Sequence, residues 1–127
     1  MDTQKVLVDS SVWIDFFKGK QTELFDELLT ENMVSTNELI LSELLPILQF
    51  KKQTEIIEGL LALPLIPVTI DWCIIREMQL ENIKNGVKKV GIPDLIILQQ
   101  VIQKKLHFLS FDKHFKLMKH HFDFTLL

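Results

Sequence analysis

The sequence predicts an α/β fold in which a central, mainly parallel sheet is covered by helices on both faces, giving three layers. Short apolar runs rich in β-branched residues alternate with longer amphipathic stretches along the chain, as expected for strands that alternate with helices. The 127 residues lie within the range of one domain, and 47% of them are hydrophobic, which is enough for one core. We therefore expect a single domain over residues 1–127.

Turn and capping residues set the boundaries of the predicted elements. The Lys18-Gly19-Lys20 turn ends the first helix, Pro64 ends the fourth, Asp71 caps the next and Pro93 opens the one after it. The predicted strands are residues 5–8, 33–35, 66–70, 106–110 and, at a sheet edge, 122–126. The predicted helices are residues 10–17, 22–30, 37–50, 52–63, 71–85, a helix that begins at 93, and 112–121.

Composition limits the setting in which the protein works. The longest apolar stretches fall far short of the roughly 18 residues that span a bilayer, and no targeting segment is evident, so we expect a soluble, cytoplasmic protein without membrane contact. Cys73 is the only cysteine, which excludes an internal disulfide and a cysteine-based zinc cage. It is predicted to be a small core residue.

Charge is distributed unevenly along the chain. Residues 1–83 carry fourteen acids and six bases, whereas residues 84–121 carry eight lysines and only two acids, Asp94 and Asp112. Such a basic stretch is usually a solvated face, but it also suits a surface that meets phosphate groups. Its two isolated carboxylates therefore require an explanation.

Two acids follow predicted strands. Asp9 comes directly after "VLV", and Asp112 comes after "LHFLSF". Ligands bind beyond the carboxyl ends of the strands in open parallel sheets, so both acids lie where a site is expected. Each is equally well placed to cap the helix that follows it, and the sequence leaves both interpretations open.

Two further acids lie on predicted helices. Asp94 belongs to a first helical turn, where a carboxylate complements the helix dipole, yet its direction on the helix falls among Ile97, Leu98 and Val101, while Gln99, Gln100 and Gln103 occupy the opposite face. Glu43 lies at the border of the apolar arc of its own helix. Four acids at one end of a sheet would repel one another unless a divalent cation neutralised them, and oxygen-rich sites suit Mg²⁺ or Mn²⁺.

These segments resemble the PIN-domain ribonucleases, and in particular the VapC-like toxins of toxin–antitoxin modules. "VLVDSSVWIDFF" resembles the opening strand and short aromatic helix of the family, and "LILSELLPIL" resembles the helix with the second acid. "IPDLIIL" and "LHFLSFDKHF" resemble the segments with the third and fourth acids, eighteen residues apart. The resemblance covers essentially the whole chain. Pro46, Leu98 and Gln99 depart from residues common in the family, which affects helix packing and dimer contacts rather than the acids.

The resemblance implies a PIN-like fold and a metal-dependent endoribonuclease that is the toxin of a type II toxin–antitoxin pair. By position, Asp9, Glu43, Asp94 and Asp112 would bind Mg²⁺ or Mn²⁺, and Ser10 would be a supporting hydroxyl. The implied partners are an RNA substrate, a small antitoxin protein and a second copy of the chain. The lysines that we expect to contact the RNA backbone are Lys88, Lys89, Lys113 and Lys116.

Other residues favour different interpretations. Trp13, Phe16 and Phe17 could stack on bases, but their helical spacing is more typical of packing. The histidines could suggest zinc, although adjacent histidines on a helix point about 100° apart and no thiolate joins them. The apolar residues that we expect to form an exposed patch, and with it a homodimer interface, are Ile56, Ile57, Leu60 and Leu61.

Two alternatives come from other classes of protein. A phospho-accepting receiver domain has a similar length and alternation of elements, with Asp71 after "IPVTI" as its acceptor and Lys104 or Lys105 as its lysine. It gives no role to Glu43 or Asp94. The other alternative is a catalytically silent interaction module that keeps the PIN fold.

Overall fold

The computed structural model describes residues 5–20 and 22–127, so residues 1–4 and 21 of the expected domain lie outside the described residues. The strands are β1 (Val6–Val8), β2 (Val34–Ser35), β3 (His107–Leu109) and β4 (Thr125–Leu126). The helices are α1 (Ser10–Phe17), α2 (Glu23–Thr30), α3 (Glu38–Phe50), α4 (Thr54–Leu61), α5 (Trp72–Lys84), α6 (Ile92–Gln103) and α7 (Lys113–Met118).

The strands form one parallel sheet in the order β2-β1-β3-β4. In the centre of the sheet, Val6 of β1 pairs with Val34 on one side and His107 on the other. All three residues of β1 are buried, as expected of a strand with both faces covered. The predicted three-layer α/β/α fold with a parallel sheet and β4 at its edge is confirmed.

The residues predicted as the strand 66–70 do not form one. Pro67 interrupts this segment, and a proline has no N–H to contribute to a ladder. The segment touches the sheet at one point, where Leu65 bridges Thr36 beyond β2 and the N–H of Ile66 donates to the Thr36 carbonyl at 2.8 Å. Its remaining backbone groups therefore need partners from outside the sheet.

Side chains of α6 supply partners for Pro67 and Thr69 in this segment, and for Asp71 just after it. The side-chain amide of Gln100 makes the two hydrogen bonds with Thr69 that the backbone of a neighbouring strand would make. Its Oε1 accepts from the Thr69 N–H at 3.0 Å, and its Nε2 donates to the Thr69 carbonyl at 2.7 Å. Gln99 Oε1 accepts from the Asp71 N–H at 3.3 Å, and Lys104 Nζ donates to the Pro67 carbonyl. Gln99 and Gln100 are buried, so the face of α6 opposite Asp94 also packs against the protein at these two positions.

Replacing Gln100 by methionine should lower the free energy of unfolding by about 1–3 kcal/mol. Methionine has a similar volume but bonds neither group of Thr69, which leaves a backbone N–H and a carbonyl without partners. The urea midpoint measures the effect, and Gln49→Met, at an exposed position of α3, is the matched control. Equal midpoints for the two variants would contradict the role assigned to Gln100.

The aromatic residues of α1 pack as expected. Trp13 is buried against Phe25 with ring centroids 4.9 Å apart and rings perpendicular, while Phe16 and Phe17 pack half-buried around them. These rings extend the core from α1 to α2. The aromatic residues of α1 are therefore better explained by packing than by stacking on bases.

Two expectations about side-chain exposure are wrong. Leu60 is 2% exposed and Ile56 and Ile57 pack against the core, so of the predicted patch only Leu61 is exposed, because α4 turns its apolar stripe inward. Cys73 is exposed rather than buried, since it occupies an outward position in the first turns of α5. Within the described residues, none of the helices combines the length and apolarity needed to cross a membrane.

Candidate active site

The carboxyl ends of β1 and β3 build the centre of the candidate site. These strands are parallel neighbours, and the pairing continues past β1, where the Asp9 N–H donates to the Leu109 carbonyl at 2.9 Å. Asp9 therefore lies beside Ser110, and Asp112 follows two residues later. The topology alone brings together two acids that are 103 positions apart in the sequence.

Asp9 is held by hydroxyl groups and does not cap a helix. It occupies the N-cap position of α1 but accepts no capping hydrogen bond. Its Oδ2 instead accepts from Ser11 Oγ and from Ser110 Oγ, both at 2.8 Å, and the residue is only 4% exposed. The capping explanation for Asp9 is therefore excluded, and its carboxylate is fixed in orientation at the sheet edge.

The same hydroxyls position the loop that carries Asp112. The Asp112 N–H donates to Ser110 Oγ and the Phe111 N–H donates to Ser11 Oγ, each at 3.0 Å. Asp112 does cap a helix, since its Oδ1 accepts from the His114 N–H at 2.9 Å. Ser11 and Ser110 are site residues that the sequence reasoning missed, although Ser110 follows β3 just as Asp9 follows β1.

Asp94 points from the first turn of α6 toward the other acids. Burial first, and then the charges of Asp112 and Asp9, raise the pKa of its carboxyl group from 3.8 to about 6, against an opposing effect of His114. A carboxylate that only complemented the helix dipole would not carry this cost. The half-buried Asp94 thus lies within the electrostatic reach of both strand-end acids.

Glu43 joins the cluster from α3. Loss of water around its carboxyl group and the charge of Asp9 raise its pKa, the charges of Asp94 and Asp112 add to the rise, and a hydrogen bond from Ser10 lowers it. That bond runs from Ser10 Oγ to Glu43 Oε2 at 3.3 Å, consistent with the supporting role predicted for Ser10. The structure therefore brings together all four of the acids that the sequence singled out.

The donor atoms fit a divalent cation. One carboxylate oxygen from Asp94, one from Asp112 and one ring nitrogen of His114 lie within 4.8 Å of one another. Mutually repelling carboxylates with a raised pKa are the arrangement that a bound cation relieves. Asp94 and Asp112, with Asp9 and Glu43 beside them, are the residues that would hold it.

The contribution of Asp94 to the stability of the metal-free protein should fall as the pH rises from about 4 through 6. The folded protein binds a proton on Asp94 more tightly than the unfolded chain, so the stability this proton contributes is lost as the pH passes the raised pKa. Because other groups titrate in this range, the quantity to measure is the melting temperature of the native protein minus that of Asp94→Asn. This difference should become more negative with rising pH, and a difference that does not vary would contradict the raised pKa.

The predicted RNA-contacting lysines are all exposed. Lys113 opens α7 immediately after Asp112, and Lys116 lies one turn later. Lys88 and Lys89 lie on the connection between α5 and α6, which leads to Asp94, and Lys89 has a φ of 63°. Their contact with RNA stays a prediction.

Asp71 does not have the role that a receiver domain would require. Its side chain accepts from the N–H groups of Cys73 and Ile74 and caps α5. It follows an irregular segment rather than a strand, and Lys104 Nζ donates a hydrogen bond to the Pro67 carbonyl. The receiver interpretation is therefore wrong.

The fold agrees with the comparisons with known proteins. A family model described as PIN domain matches residues 6–120, and the chain belongs to this family. Among solved structures, it is similar to DNA-bound VapBC from Salmonella typhimurium, with a TM-score of 0.76, 13% identity and 98% of each chain covered.

Two other solved structures are similar to the same extent. VapBC2 from Rickettsia felis bound to a promoter DNA fragment gives a TM-score of 0.75 at 14% identity, and VapBC-1 from nontypeable Haemophilus influenzae gives 0.71 at 13% identity. Each comparison covers 96% of both chains. At this identity the likeness shows a shared fold. A comparison with curated proteins finds no match.

Proposed function

We propose that the chain is a divalent-metal-dependent endoribonuclease and the toxin of a type II toxin–antitoxin pair. The observation that carries this proposal is the convergence of Asp9, Glu43, Asp94 and Asp112 at the carboxyl edge of a PIN-domain sheet, where burial and neighbouring acids raise the pKa of Asp94 to about 6. A structural role alone would not collect mutually repelling acids at a sheet edge.

The residues of the chain have distinct roles in this proposal. Asp94 and Asp112 would hold Mg²⁺ or Mn²⁺, with Asp9 oriented by Ser11 and Ser110 and Glu43 oriented by Ser10. When bound, the cation would activate a water for in-line attack on an RNA phosphodiester and stabilise charge on the leaving oxygen. A carboxylate of the cluster would accept the proton of that water.

The basic stretch supports RNA as the substrate. Lys113 and Lys116 on α7, and Lys88 and Lys89 before α6, flank the two elements that carry Asp112 and Asp94. Such lysines would neutralise the phosphates on either side of the scissile bond and fix the strand in register without reading bases.

A small antitoxin is the proposed protein partner. The similar solved structures are described as VapBC, and two of them are bound to DNA. A cytoplasmic location goes with this proposal, because the RNA target and the antitoxin would both be found there. A catalytically silent PIN module would bind the same antitoxin and leave RNA intact.

A homodimer is also proposed. Phe50 at the end of α3 is 84% exposed, and Trp72, Leu80 and Ile83 on α5 are exposed large apolar side chains. Exposed apolar side chains of this size usually mark an interface. Light scattering at high protein concentration should give the mass of two chains, and a strictly monomeric mass would contradict the dimer.

Cleavage of a defined RNA tests the proposed activity. The purified chain should cut a single-stranded RNA in Mg²⁺ or Mn²⁺, and excess chelator should stop it. The double variant Asp9→Asn, Asp112→Asn, purified in the same way, controls for contaminating nucleases. No cleavage under any metal condition by a folded, antitoxin-free protein would favour the silent module.

A further inference from the structure

His114 is placed against the candidate metal centre by the local chain geometry. It follows Asp112 by two residues, its backbone N–H donates to Asp112 Oδ1 at 2.9 Å, and its ring Nδ1 lies 3.3 Å from that oxygen. The residue is half-buried. The capping bond therefore fixes the backbone of His114, and its imidazole ring lies beside the Asp112 carboxylate.

The ring also faces Asp94. The charge of His114 lowers the pKa of Asp94, and one ring nitrogen lies within 4.8 Å of carboxylate oxygens from both Asp94 and Asp112. The ligands of one Mg²⁺ ion lie about 2.1 Å from it, and are thus about 3 Å apart when adjacent and about 4.2 Å apart when opposite, so no pair of these atoms would need to close by more than about 1.8 Å on binding. The three side chains are therefore within reach of one ion.

The other histidines have different surroundings. His107 begins β3 at the amino end of the strand, and His120 is exposed beyond α7. His121 Nε2 lies 2.7 Å from Asn82 Oδ1. Among the described residues, His114 is thus the histidine that lies with the acids.

We propose that His114 is a nitrogen ligand of the divalent cation and shifts the preference of the site from Mg²⁺ toward Mn²⁺. Mg²⁺ favours oxygen ligands, whereas imidazole nitrogen is a good ligand for transition metals, so one nitrogen among carboxylates strengthens Mn²⁺ binding more than Mg²⁺ binding. The inference rests on the proposed metal-dependent function and adds which cation the site selects and which residue selects it.

Direct detection of the metal–nitrogen bond is the first measurement. Pulsed electron paramagnetic resonance of the Mn²⁺-loaded protein should show coupling to ¹⁴N, and the coupling should change when the histidines are labelled with ¹⁵N. It should vanish in His114→Gln and persist in His120→Gln, the matched control at an exposed position. Glutamine keeps a polar group that can bond Asp112, so the substitution removes the imidazole ligand with little loss of that contact.

Calorimetric titration is the second measurement. In His114→Gln, the dissociation constant for Mn²⁺ should rise about tenfold or more, while that for Mg²⁺ should rise threefold or less. His120→Gln should leave both constants unchanged. If His114→Gln does not fold, the labelled wild-type protein and His120→Gln still decide the matter by resonance.

Two results would overturn the inference, and they differ in what else they remove. Mn²⁺ binding without nitrogen coupling, or an equal loss of both metals in His114→Gln, would make His114 an orienting partner of Asp112 and leave the nuclease proposal intact. Failure of the wild-type protein to bind either metal in calorimetry would remove the His114 ligand and the proposed metal-dependent function together.

Discussion

Replacing Asp94 by asparagine is expected to reduce RNA cleavage about a hundredfold while leaving the metal-free protein at least as stable as the wild type. Asparagine keeps the volume and the position in the first turn of α6 but provides a neutral ligand. The raised pKa of Asp94 means that the folded protein disfavours its charge. Removing the charge therefore relieves repulsion from Asp112 and Asp9.

The paired readout separates chemistry from packing. Cleavage of a single-stranded RNA and the metal-free melting temperature should be measured on the same preparations. Asp123→Asn is the control, because Asp123 is exposed and lies outside the acidic cluster. Full cleavage by Asp94→Asn, with about 0.3–1 kcal/mol lost in stability, would mean that Asp94 only complements the helix dipole.

Millimolar Mg²⁺ or Mn²⁺ should stabilise the fold by about 2.7 kcal/mol when the ion is at a hundredfold excess over its dissociation constant. For a chain of this size the melting temperature should rise on the order of 10 °C. The physical reason is that the cation binds the gathered carboxylates of the folded protein and finds them dispersed in the unfolded chain. Protons compete for Asp94, so the stabilisation should weaken as the pH falls below about 6.

The control for this experiment removes the site without changing the core. Asp94→Asn combined with Asp112→Asn should lose most of the metal-induced rise, and Asp123→Asn should keep it. A wild-type melting temperature that does not change with either metal would count strongly against the metal site.

The four acids of the candidate site could be predicted from the sequence, because a pattern of nearby residues points to each of them. Asp9 and Asp112 follow apolar runs that became parallel neighbours, and Asp94 shares the direction of apolar residues on its helix. Glu43 lies at the border of an apolar arc, and α3 carries it to Ser10. The geometry brings these acids together, while their catalytic roles stay predictions.

The failures concern contacts between distant residues. The segment 66–70 has the composition of a strand, but Thr69 in it pairs with the side chain of Gln100, 31 positions away, a distance that no local pattern can encode. Ser110 and Ser11 were missed because a serine gains importance here only once Asp9 lies beside it. The histidines of the sequence do not show which of them meets an acid, whereas the fold places the ring of His114 beside Asp112.

The way Gln100 holds Thr69 has a consequence for the behaviour of the protein in a crowded cell. A sheet border with free N–H and carbonyl groups is a template on which other chains can assemble into aggregates. Beyond β2, Thr69 offers neither group, since Gln100 occupies both, and Pro67 has no N–H to offer. At these two residues the segment beyond β2 is therefore protected against pairing with another chain. Gln100→Met should therefore promote fibril growth during prolonged incubation as well as lower stability.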